Sequence, residues 1–345
     1  IKLLRDTWEG GVSLPDAFRT TLEGLLAPFG VLFVDAHAPL LKEASRGVLV
    51  RELEGAAAHE EVLSRRAAEL DGAGYGVQVS VLEGGVNLFM EGPGGRERLY
   101  RDGVEDGAGF TLKGSGYALT REEVLAGIAA TPCTVSPNVL LRPVVESAVF
   151  PTLAYVGGPG EMAYFGQLEP LFQAHGVDMP VVLPRFSVTV LESKIRKVLD
   201  KFGLPPHALA RPFHEVAADI ARDELPDEVR EALRQLKGAI GQGTAALSEA
   251  AKAIDPTLKG PISHARGVAF GAVQEAEKKI LQAVKRENEI ALQQLDKARL
   301  HLYPDGRPQE RVLNVFYYLT RYGDRFLHDV SRRFAAALPP SLGRG

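Results

Sequence analysis

Gly157-Gly158-Pro159-Gly160 is followed at once by Glu161, and this stretch is the part of the chain best suited to chemistry. The apolar run Leu153-Ala154-Tyr155-Val156 leads into it, and a helical pattern follows. A strand, a glycine turn and a helix often hold a phosphate, because the amides at a helix N-terminus point at the ligand. Neither known phosphate pattern is complete here. The dinucleotide fingerprint lacks its third glycine, since Tyr164 and Phe165 stand there, and no Lys-Ser/Thr follows as in a Walker A loop. Glu161 places an anion where a phosphate would sit, so the turn suits an amine or a hydroxyl. The plainer reading is a tight turn whose Glu161 complements the helix dipole. In the ligand reading, Tyr155, Gly157 and Gly158 face the substrate and Glu161 holds its amine.

Two arginines fall near the same edge. Arg142 follows "NVLL" and precedes Pro143, and Arg185 follows Pro184. A guanidinium binds carboxylate or phosphate through its planar fork, although either arginine could form an ordinary ion pair. Asn138, four residues before Arg142, could join it on a carboxylate or phosphate. Ser136 and Asn138 also fit a helix cap. Asp35 and His37 could touch a ligand from a loop. Cys133, the only cysteine, reads more naturally as a small buried hydrophobe than as a nucleophile. The histidines show no metal-ligand spacing, so no metal is inferred, and no G-x-S-x-G elbow supports a serine hydrolase.

These residues need elements to hold them. "GVLFVDA" (30–36) predicts a buried strand, because an apolar run without alternation suits a strand covered on both faces. Residues 48–71 have helical period, and 74–103 alternate between glycine pairs as hairpin strands do. Thr120 caps a helix over 120–131, with acidic residues in its first turn. Residues 133–186 read as loop, helix, strand, helix, strand. "TLAYVGG" and "MPVVLPR", joined by a helix, make a parallel βαβ unit. Beyond Pro184 the chain is charged, Ala-rich and helical, with a turn at Asp255-Pro256 and Gly260-Pro261. Leu281, Val284, Asn288, Ala291, Leu295, Ala298 and Leu302 keep a coiled-coil spacing with Asn288 at an a position. The aromatic-rich segment 308–330 is expected to dock on the α/β part.

The 345 residues suggest about two domains, on a prior of roughly 150 residues each. A hydrophobic content of 45% supports a core, and a net charge of −4 advertises neither nucleic acid nor an anionic membrane surface. No run approaches the roughly 20 apolar residues of a membrane span. A single cysteine excludes an internal disulfide and fits the cytoplasm.

"SPNVLLRP", "PTLAYVGGPGEMAYFGQL" and "MPVVLPR", followed near the end by "QERVLNVFYYLTRYG", resemble the cysteine ligase family of bacillithiol biosynthesis, BshC. "GVLFVDAHAPLLK" adds a weaker similarity. The resemblance implies an α/β fold: a partial Rossmann-like core, akin to class I aminoacyl-tRNA synthetases and nucleotidyl transferases, with a connecting insertion and a long antiparallel α-helical coiled coil. On that frame 1–47 and 133–186 are core and 48–132 the insertion. The coiled coil takes 187–303, and 304–345 form a helical tail. The implied reaction joins L-cysteine to glucosaminyl-malate through an amide bond, with an adenine nucleotide (ATP/ADP) as energy source and a homodimer built on the coiled coil. Arg311, Asn314 and Tyr317 offer polar and stacking groups for the nucleotide. The family's "TGQQPGLFGGPLYT"-like and "EDHD"-like blocks do not occur in this sequence, which is expected of a C-terminal fragment. The competing reading is a dimerisation module whose α/β half is inert.

Overall fold

The computed structural model describes residues 2–103, 109–130 and 133–337. Expectations for Thr131 and for the tail beyond 337 lie outside the described residues. The chain divides at Phe186/Ser187 into two compact units.

The first unit begins with helices α1 (Lys2–Thr7), α2 (Leu14–Leu26), α3 (Pro39–Glu54) and α4 (Ala56–Gly72). Strands β1 (Gly85–Gly92), β2 (Gly95–Arg101), β3 (Phe110–Leu112) and β4 (Ala118–Leu119) follow, then α5 (Arg121–Ala129), β5 (Val135–Pro137) and α6 (Arg142–Val149). The unit closes with β6 (Ala154–Gly157), α7 (Pro159–His175) and β7 (Val181–Pro184). Two sheets result. One is antiparallel in the order β4-β3-β2-β1-β5, and the other is the parallel pair β6-β7. The parallel pair and its α7 crossover are the βαβ unit that the sequence predicts.

Local chemistry sets the ends of these elements. At α5 the Thr120 hydroxyl accepts from the Glu123 amide (3.2 Å) and the Glu123 carboxylate accepts from the Thr120 amide (2.7 Å). That is a complete capping box, which satisfies two otherwise orphaned donors. α7 starts with Pro159 in its first turn and stops at Gly176, whose φ of 64° is left-handed. One apolar core runs through the unit. Leu49, Leu53 and Leu63 from α3 and α4 meet Val86, Leu88 and Leu99 of the sheet and Phe165, Leu168 and Phe172 of α7. Each such side chain contributes about 1.5–3 kcal/mol by leaving water.

Two sequence expectations change here. Residues 31–35 form no strand, and Leu32 is 88% exposed. Hydrophobicity alone does not make a strand, which needs a neighbour's hydrogen bonds, and among the described residues nothing pairs with this run. The loop expected before α6 instead contains β5, which pairs with β1 through Leu88 opposite Pro137 and Met90 opposite Val135. Three residues are too short for a periodic signal.

The second unit is helical: α8 (Ser193–Phe202), α9 (Phe213–Asp223), α10 (Asp227–Lys252), α11 (Lys259–Glu287), α12 (Glu289–Leu302), α13 (Val315–Tyr322) and α14 (Arg325–Ala337). α10 and α11 form the long antiparallel hairpin, joined by a turn in which Asp255 caps Thr257. Gly260 and Pro261 fall inside the first turn of α11, where proline is tolerated. The expected continuous seam over 281–302 is interrupted. α11 ends at Asn288, whose amide side chain bonds Glu224 and the Val284 carbonyl. Beyond that break Leu295, Ala298 and Leu302 are fully buried against Ile195, Leu199, Val216 and Ile220. Three of the seven predicted stripe residues are therefore covered within the chain and do not by themselves call for a second copy. The aromatic tail is tied within this unit. Gln309 and Glu310 hold the backbone of Val188 and Val190, and Arg321 and Tyr322 bond Glu192.

Candidate active site

Arg142 is the hub of the site. It opens α6 beside Pro143, and its guanidinium makes three side-chain bonds. Nη1 meets the Glu146 carboxylate at 2.7 Å, and Nη2 donates to the hydroxyls of Tyr155 and Tyr164, each at 3.0 Å. The Tyr155 hydroxyl donates in turn to Glu161 Oε1 (2.7 Å), and Glu161 Oε2 accepts from the Gly158 amide (2.8 Å). A continuous chain of bonds thus runs from an arginine to the glycine turn. Phe165 in the core packs against both rings, stacked on Tyr164 and tilted against Tyr155, which fixes their hydroxyls.

The electrostatics follow from this chain. The Gly158 amide, and then the Tyr155 hydroxyl, hold the Glu161 carboxyl below the usual carboxylate range. Burial, and then the Glu161 carboxylate, push the Tyr155 phenol up to about 12, so it stays a donor. Burial works against the charge on Arg142, but its bonds to Tyr155 and Tyr164 outweigh it and raise its pKa further.

Arg185 completes the group. Its amide donates to the Gly157 carbonyl (2.8 Å), and its Nη2 lies 2.7 Å from where a Cβ on Gly158 would stand. The glycine is thus what lets the guanidinium approach the turn. Glu161, Arg142, Tyr155, Gly157, Gly158 and Arg185 come together as one cluster. Asn138 does not face it. Asn138 is 5% exposed, its Oδ1 accepts from the Leu140 and Leu141 amides, and its Nδ2 donates to Asn87 Oδ1 at 2.8 Å. It fixes the approach to α6.

A cavity of about 880 Å³ adjoins Arg142 and is lined also by Lys42, Arg96, Cys133, Ser136 and Glu146. Arg96 Nε is held by the Ser136 hydroxyl at 2.8 Å. His37 lines the same cavity, and its amide bonds Asp35. Three cationic side chains against Glu91 and Glu146 favour an anionic guest of small-molecule size. No signal in the sequence marks Arg96 or Lys42, whose residue types are common and whose strand and helix carry no motif.

Three buried residues also converge where no spacing suggested it. Glu52 on α3 receives His59 Nδ1 at 2.8 Å and His175 Nε2 at 3.1 Å on one oxygen. Its other oxygen accepts from the backbone and side-chain nitrogens of Asn87. Burial opposes the Glu52 charge, yet the bonds from His175 and His59 hold its pKa below the ordinary value. His175 is 123 residues from Glu52, so only the fold brings them together.

Arg311, Asn314 and Tyr317 sit in the second unit. Arg311 pairs with Glu310 at 3.3 Å, Asn314 caps α13 through the Phe316 amide, and Tyr317 lies under the Arg321 guanidinium at 4.4 Å.

The Glu161 bond to Gly158 gives a pH signature. Gly158 has no side chain, so only Glu161's half of a capping box exists. A depressed folded pKa means its stabilisation is full above the ordinary carboxylate pKa and is lost as pH falls through the depressed value. Glu161→Gln is expected to cost about 0.3–1 kcal/mol at neutral pH and to flatten the acid limb of a Tm-against-pH curve. A variant curve that parallels the wild type down to low pH refutes that role.

The fold defines a Rossmann-like α/β unit followed by a helical coiled-coil unit. Residues 1–186 match the family described as "Bacillithiol biosynthesis BshC, N-terminal Rossmann-like domain", and residues 188–337 match "Bacillithiol biosynthesis BshC, C-terminal coiled-coil domain". The chain belongs to the BshC family. Relatives named "Putative cysteine ligase BshC" include those of Salinibacter ruber (33% identical, over 95% of this chain and 59% of the relative) and Chlorobaculum tepidum (30%, over 96% and 60%). That of Koribacter versatilis is 31% identical over 94% of this chain and 60% of the relative. The chain therefore spans about three fifths of the length of these relatives.

Proposed function

We propose that this chain carries the working core of a cysteine ligase, which joins the carboxyl of L-cysteine to the amine of glucosaminyl-malate as an amide in bacillithiol biosynthesis in the cytoplasm. Family membership across both units supports the reaction class. Among the described residues, no helix is long and apolar enough to cross a membrane. The observation that carries the site is the Arg142 hub at the edge of a cation-lined cavity. A malate or cysteine carboxylate would meet Arg142, with Arg96 and Lys42 further along the wall. Glu161, ionised and backed by Gly158, orients the amine, and Arg185 balances its charge. Asn138 acts through α6 by positioning Arg142. The test is direct. The gene product that carries this chain, given L-cysteine, glucosaminyl-malate and ATP, should form bacillithiol detectable by mass. Absence of product with all three present overturns the reading.

An adenine nucleotide would supply the activation of the cysteine carboxyl. Arg311 and Tyr317 offer it a cation and a ring, and Asn314 keeps its amide hydrogens free of its own capping bond. In calorimetry with ATP and ADP, Arg311→Ala should weaken binding about tenfold or more, as loss of one charge-assisted bond implies. Equal affinity in the variant removes Arg311 from the site.

The homodimer rests on α10 and α11. Leu236, Leu247 and Val268 are about half exposed or more, and among the described residues each long helix buries a single residue. Light scattering should give twice the chain mass, and a monomer at high micromolar concentration removes the dimer.

A further inference from the structure

We propose that Glu52, His59 and His175 form a divalent-cation site, zinc being the best fit, inside the first unit. The donor set is two imidazoles and one carboxylate, the kind that holds zinc with a fourth position left for water. The donor atoms of all three residues lie within 4.8 Å of one another. Bonds of about 2.0–2.2 Å in a tetrahedron put donors about 3.3–3.5 Å apart. The observed 2.8 and 3.1 Å carboxylate-to-imidazole separations open to that with shifts of a few tenths of an ångström, and the two imidazole nitrogens lie within 4.8 Å of each other.

Two features point to a cation rather than to hydrogen bonds alone. Glu52 is completely buried, and among the described residues its only ion-pair partners are the two histidines. Neutral imidazoles leave that carboxylate without a counter-charge, which burial makes costly. The surroundings are also those of a metal centre. The second Glu52 oxygen is fixed by both nitrogens of Asn87, as an outer shell fixes a ligating carboxylate. Gly55 keeps the His59 ring in place, since a Cβ there would stand 2.8 Å from it. A cavity of about 730 Å³ that His175 and Arg51 help to line offers a way in.

The site shares no residue with the Arg142 cluster. It is tied to that cluster through Asn87, whose Oδ1 holds Asn138 at the start of α6. A bound ion would clamp α3, α4 and α7 together and steady the helix that carries Arg142.

The probe is ZnCl2, followed by desalting and elemental analysis, with CoCl2 as a spectroscopic stand-in. The wild type should retain one zinc per chain and show the intense visible bands of tetrahedral cobalt. His59→Gln and His175→Gln should each lose the retained metal and the bands, while a control at exposed His264 keeps both. Zinc should raise the Tm of the wild type and leave both triad variants unmoved. Failure of the wild type to retain zinc or show cobalt bands overturns the proposal and needs no variant to fold. Retention unchanged in either triad variant overturns it equally.

Discussion

Arg142→Ala is expected to lower kcat/KM for bacillithiol formation by roughly 10- to 150-fold. The figure corresponds to about 1.5–3 kcal/mol for bonds made to a charged group, at 1.4 kcal/mol per factor of ten. Arg142→Lys should fare little better. An ammonium is a point donor and does not span two tyrosine hydroxyls and Glu146 at once. The half-exposed Arg142–Glu146 pair adds little to stability. The lysine variant should therefore fold normally and fail mainly in substrate use. A rise in KM with kcat unchanged would place Arg142 in uniform substrate binding, and an equal fall in kcat and kcat/KM would place it in the transition state. Wild-type kinetics in both variants would remove Arg142 from the site.

Glu52→Ala is expected to be the most destabilising single change in the first unit, costing about 3–5 kcal/mol, the range for removing one partner of a buried charged network. The substitution strands His59, His175 and both Asn87 nitrogens at once. Glu52→Gln should cost less, since its carbonyl oxygen still serves Asn87. Urea unfolding followed by circular dichroism measures both, and an alanine variant within about 1 kcal/mol of wild type refutes the assignment.

Wherever one local rule dominates, the sequence was readable. Thr120 with Glu123 announces the start of α5, the apolar runs around a helical pattern announce the parallel pair, and Asp255-Pro256 announces the turn between the long helices. The glycine turn is legible for the same reason, because strand, glycines and carboxylate are contiguous. What the sequence hid depends on distant partners. Residues 31–35 have the composition of a strand but no neighbour to bond. β5 is a strand only because β1 is beside it. Asn288 fits a coiled-coil position by spacing, yet it ends a helix because Glu224 is there to receive it. The buried triad draws on α3, α4 and α7, so no window of sequence contains it. Asn138 was read toward a ligand, whereas the fold spends both ends of its side chain on Asn87 and the α6 approach.

The strand order of the antiparallel sheet has a kinetic consequence. β1 through β4 form a meander in which each strand pairs with the next, so their contacts close short loops and can form early. β5 alone must return across the intervening hairpins and α5 to reach β1, and the entropy of closing that longer loop delays it. Asn138, α6 and Arg142 arrive with β5. The edge that carries Arg142 is thus assembled after the meander, and Val135, Leu140, Leu141 and Val144, all fully buried, lock it in place once it arrives.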